Sequence, residues 1–123
     1  MPRLQIKRAY QPPSPADGRR ILVDRLWPRG LSKHDLDGVL WVREVAPSAA
    51  LRKWFGHKPE RWGEFRKRYF AELRSNPAVK SLEDAMGAGP VTLLYGAKDE
   101  VHNQAVALAD YLTGKAEPAE KGA

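Results

Sequence analysis

The sequence predicts an α/β fold: a single small open sheet, mainly parallel, with helices packed on it. Two aliphatic runs, Ile21-Leu22-Val23 and Val91-Thr92-Leu93-Leu94-Tyr95, are continuous rather than alternating, as strands buried on both faces are. The roughly 60 residues between them carry helical patterns, and such a connection is ordinarily a right-handed crossover joining parallel strands. A chain of 123 residues suits one core of this kind without staples.

Residues 4–10 alternate apolar and polar side chains, the pattern of a strand with one buried face. Pro12-Pro13-Ser14-Pro15-Ala16-Asp17-Gly18 then reads as an extended loop ending in a tight turn. The strand at 21–23 stops at Asp24-Arg25, and Trp27-Pro28-Arg29-Gly30 reads as a loop. Residues 35–45 are assigned to a helix, against the preferences of Gly38 and the β-branched residues. Ser48 is placed to cap a short helix over 49–55, closed by Gly56. Pro59 suits the first turn of the next helix, and Trp62, Phe65, Tyr69 and Leu73 share one of its faces. Asn76-Pro77 ends that helix, and another runs from 77 to 86 before Gly87-Ala88-Gly89. After the strand at 91–95, Asp99 is placed to cap a last helix, with Val101, Ala105, Leu108 and Leu112 on one face and Gly114 at its end. One domain over 1–114 is expected. Residues 115–123 lack large apolar side chains to offset their ordering entropy, so a flexible tail is expected there.

Composition narrows the function. The absence of cysteine removes disulfides, thiolate catalysis and cysteine-ligated zinc, and fits a cytoplasmic protein. His34, His57 and His102 are scattered without ligand spacing, so no metal site is expected. No run reaches the roughly 18 apolar residues of a spanning helix, and no membrane partner is expected. There is no glycine-rich dinucleotide or P-loop motif and no nucleophile elbow, and nothing specifies a cofactor. The net charge of +6 is uneven. Residues 1–34 hold eight Lys/Arg against two Asp, and residues 51–74 hold eight against three acids. Two basic segments on an otherwise balanced chain suggest an anionic partner.

In open α/β sheets, ligands bind beyond the carboxyl ends of parallel strands. Parallel strands at 21–23 and 91–95 deliver Asp24, Arg25, Trp27 and Arg29 to the same edge as Tyr95, Lys98, Asp99, His102 and Asn103. Arg25 and Arg29 suit a carboxylate or phosphate, and Lys98 and the N-terminus of the last helix add positive potential. Trp27 and Tyr95 are rings able to stack on a flat ligand, and Asp24 and His102 form a candidate acid/base pair. Each also has a plain structural reading: ion pairing for Asp24 and Arg25, packing for Trp27, capping for Asp99. The expected partner is therefore an anionic, phosphate-bearing or nucleotide-like small molecule, with catalysis left open. Nucleic-acid binding is the alternative, through Arg52, Lys53, Arg61, Lys67 and Arg68 on the basic helices with Trp54 and Trp62 nearby. A protein-interaction role remains a third reading.

Three long strings carry a family resemblance: residues 23–31 (VDRLWPRGL), residues 46–48 followed by 51–57 (APS, LRKWFGH), and residues 93–100 followed by His102-Asn103 (LLYGAKDE). They resemble the blocks of the YeaO-like family, domain of unknown function 488, over nearly the whole chain. The resemblance implies no assigned catalytic residue. Members are sometimes labelled MarR-type transcriptional regulators, but no glycine-hinged hairpin wing follows the helices here.

Overall fold

A computed structural model describes residues 4–114. Its strands are β1 (Leu4–Arg8), β2 (Arg19–Leu22), β3 (Leu40–Trp41) and β4 (Val91–Tyr95). Its helices are α1 (Ala49–Phe55), α2 (Trp62–Arg74), α3 (Ala78–Met86) and α4 (Gln104–Leu112). The strands form one open sheet in the order β1-β4-β2-β3, with every pair parallel. The tail expected at residues 115–123 lies outside the described residues.

Strand β4 is central, and all five of its residues are buried. Alternation along it separates two faces of different character. Val91, Leu93 and Tyr95 join Ile21 and the apolar faces of all four helices in the main core. On the other face Leu94 packs with Leu22, Ala9 and Leu36 under loop residues Trp27, Leu31 and Val39 and under Trp41 of β3. Helices thus cover one side of the sheet and connecting loops the other.

The helical face follows its sequence signals closely. The Ser48 hydroxyl accepts the Leu51 N–H and starts α1, and Gly56 at φ 54° ends it. Phe65, Tyr69 and Leu73 are buried on α2 as their spacing requires, joined by Phe70. Phe55 of α1 stacks on Phe65 with centroids 4.4 Å apart. Burying an aromatic or aliphatic side chain of this size contributes about 1.5–3 kcal/mol. The buried Tyr69 hydroxyl donates to the Val45 carbonyl at 2.6 Å, which satisfies its polar end.

The loop face is closed by polar groups. Asp17 is buried at the end of a 3-10 turn, where Lys7 meets its carboxylate at 3.0 Å and Arg20 at 3.5 Å. The Thr92 hydroxyl donates to the Asp17 carbonyl at 2.8 Å, which binds the turn to the central strand. Gly18 follows at φ 64°, and a Cβ there would lie 2.1 Å from the Pro90 carbonyl oxygen. Only glycine permits that approach.

Two sequence expectations are corrected. Residues 35–45 are not helical: they hold β3 and a 3-10 turn over Arg43–Val45. Gly38 at φ 79° breaks any helix, and the Val42 N–H bonds the Leu22 carbonyl at 2.9 Å beside β2. The last helix also begins later than expected. Asn103, not Asp99, caps α4, accepting the Val106 N–H at 3.0 Å, so Val101 lies outside the helix and is exposed.

Candidate functional site

Because β2 and β4 are parallel, Asp24 and Arg25 leave the sheet at the same end as the loop that begins at Gly96. A cleft of about 750 Å³ opens there. Asp24, Arg25, Trp27, Arg29, Lys98 and Asp99 all line it, together with Tyr10, Arg52, His57 and Gln104. Its size falls within the ~300–1,000 Å³ usual for small-molecule sites.

Asp24 ties the two strand ends together. Its carboxylate accepts the Gly96 N–H at 2.8 Å and a hydrogen bond from the Gln104 side-chain amide at the start of α4. A Cβ on residue 96 would come within 3.1 Å of that carboxylate, which favours glycine at this position. Burial pushes the Asp24 carboxyl up to about 6; the Gly96 N–H, the Gln104 amide and the Arg52 charge oppose the rise without cancelling it. No cation contacts the carboxylate directly among the described residues, and that is why desolvation prevails.

The cations of the cleft fall into two kinds. Arg25 donates to the Pro47 and Ala46 carbonyls, each at 3.3 Å, and braces the loop before α1. Arg29, Arg52 and Lys98 are exposed and, among the described residues, make no side-chain hydrogen bond or ion pair. The Trp27 indole donates to the Leu31 carbonyl at 2.6 Å and meets Trp41 edge-on, so this ring is fixed by packing. The Trp41 indole in turn donates to the Asp24 carbonyl at 2.7 Å.

Of three further residues expected at the site, Tyr95 and His102 lie off the cleft, and Asn103 lines only a smaller cavity beside it. Tyr95 is buried on the helical face, where burial raises its hydroxyl pKa. Strand parity sets this: it shares the face of Val91 and Leu93. Asn103 is buried as the cap of α4. His102 lies edge-on to Trp62, with Nδ1 3.0 Å from Asp99, so it is not joined to Asp24. Asp99 accepts the backbone N–H groups of His102 and Val101, each at 2.9 Å. Those bonds hold its carboxyl down to about 2. It shapes the loop while still facing the cleft.

The residues of the nucleic-acid reading do not form one free cationic patch. Arg61 and Arg68 stack against Trp54, with guanidinium carbons 5.1 and 4.3 Å from the ring. Arg68 also pairs with Glu64 at 2.9 Å, and Arg61 donates to the Trp54 carbonyl. Arg52 turns to the cleft; Lys53 and Lys67 stay exposed. Sequence reasoning did not select Gln104 or place His57 and Arg52 beside Asp24. Their approach depends on how α1 and α4 dock, for which the chain carries no local signal. No group of three or more potential metal ligands converges among the described residues.

Comparison with known proteins places these residues in context. A model described as the inactive DUF488-N3 subclade matches residues 3–123. The uncharacterised protein YeaO of Escherichia coli K12 is 46% identical over 110 residues, covering 89% of this chain and 96% of its own. The uncharacterised protein Rv3073c of Mycobacterium tuberculosis H37Rv is 39% identical over 113 residues, covering 92% and 96%. No solved structure matches the chain.

Proposed function

This chain belongs to the YeaO-like DUF488 family, within the subclade described as inactive, and from that premise we propose that it binds an anionic, phosphate-bearing small molecule in the cleft without turning it over. The observation that carries the reading is the set of three exposed cations, Arg29, Arg52 and Lys98, which share the cleft and lack hydrogen-bond or ion-pair partners among the described residues. A phosphate supplies the acceptor oxygens they lack, and charge-assisted bonds of this kind contribute about 1.5–3 kcal/mol each. The separate engagements of Asp24 and His102 also favour binding over acid/base chemistry. Asp24 serves as a positioning residue that fixes the floor of the cleft.

The test is a calorimetric and thermal-shift titration with sulfate, pyrophosphate and sugar phosphates. Binding is expected, and Arg52→Ala and Lys98→Ala should each weaken it about tenfold, the equivalent of 1.4 kcal/mol. If no such anion stabilises the wild-type protein, the reading fails.

A further inference from the structure

A second cavity of about 270 Å³ adjoins the cleft, and Pro47, Arg52, His57 and Gln104 line both. Building on the anion-binding reading, we infer that the ligand is a nucleotide, its phosphates held in the outer cleft and its base seated in this inner pocket beside Phe55 and Phe65. Both spaces are mostly apolar, and they differ in the side chains that line them. Arg29 and Lys98 line only the outer one, whereas Phe55 and Phe65, with Lys53 and Asn103, line only the inner one. Those two rings stack on each other at 4.4 Å and give the inner pocket a rigid apolar wall. Arg52 stands between, within reach of both compartments. A ligand that fills this shape is flat and apolar at one end and polyanionic at the other. Three cations exceed what a single carboxylate requires, which favours a nucleotide over an aromatic acid.

The junction itself is specialised. His57 is the one non-glycine residue with positive φ, 58°, among those described. It follows Gly56 at φ 54°, so two successive left-handed residues turn the chain at the rim of both cavities. A side chain costs about 1–2 kcal/mol in that conformation, and glycine would close the helix as well. Keeping an imidazole there places a planar, hydrogen-bonding ring where the sugar and base meet. Gln104 donates one amide hydrogen bond to Asp24 and keeps its carbonyl oxygen for the donor groups on the edge of a base.

Isothermal titration of the full chain with ADP, GDP, CDP and UDP, with pyrophosphate and with phenylpyruvate tests this. At least one nucleotide should bind tenfold or more tightly than pyrophosphate. His57→Gly, which relieves the backbone conformation and preserves the fold, should cut that preference below threefold. Equal affinity for pyrophosphate and all four nucleotides would overturn the inference and leave anion binding intact. Tighter binding of phenylpyruvate than of any nucleotide would overturn it too, as would an unchanged preference in His57→Gly. Failure of every anion, pyrophosphate included, would remove the underlying reading itself.

Discussion

Two aspartates beside this sheet, one buried and one half-buried, have opposite electrostatic fates. Asp17, on the loop-covered face, sits against Lys7 and Arg20. Desolvation raises its pKa, but the Lys7 bond, the Ser14 N–H and the two cations outweigh it and hold the carboxyl below its ordinary range. Asp24, at the carboxyl edge, has only neutral donors in contact, and burial lifts it to about 6. The same side chain is thus a closed structural lock in one place and an uncompensated charge in the other. Uncompensated charge beside unpaired cations marks the region where stability has been given up, and such regions are candidates for binding.

Breaking the lock should have the largest effect. Asp17→Ala leaves Lys7 and Arg20 facing each other with little exposure, and should cost about 3 kcal/mol in urea unfolding at pH 7. The wild-type contribution of Asp17 is present at neutral pH and is lost as pH falls through its lowered folded pKa. A cost under about 0.5 kcal/mol, the size of an ordinary surface substitution, would show that the cluster is not a lock.

Asp24→Asn should move stability the other way. Between pH 4 and 6 the folded state keeps a proton that the unfolded chain has released, so the wild-type protein loses stability as pH rises through that window. Above pH 6 the whole cost is present. The asparagine variant should therefore be more stable by about 2 kcal/mol at pH 7.5 and show no gain at pH 4, read from paired denaturation curves. Destabilisation at pH 7.5 would mean that the charged carboxylate is needed by its Gly96 and Gln104 donors.

The smallest expected effect sharpens the link to binding. Protonating Asp24 removes a negative charge that interacts with Arg52, so sulfate should bind about two- to threefold more tightly at pH 5.5 than at pH 7.5. Part of that gain should vanish in Asp24→Asn, which separates the aspartate from His57 and Asp99, the other titratable acid and imidazole lining the cleft. An identical pH dependence in both proteins would exclude Asp24 from the effect.

The amino-acid sequence alone determined the parallel α/β frame and six of the residues that line the candidate cleft. Long aliphatic runs, Ser48, Gly56 and the spacing of Phe65, Tyr69 and Leu73 act through local backbone preference and burial, which are readable along the chain. Parallel pairing of β2 and β4 then carried Asp24, Arg25, Arg29 and Lys98 to one cleft, as topology requires. Tertiary structure alone decided the short strand β3, which exists by pairing with β2 and has no local pattern long enough to announce it. It also decided that Tyr95 faces the core, that Asn103 rather than Asp99 caps α4, and that Arg52, His57 and Gln104 meet at the cleft. Contacts between residues far apart in the chain fix those features, and burial with or without a partner then sets the charge on each aspartate: neither is a property of a residue and its neighbours in sequence.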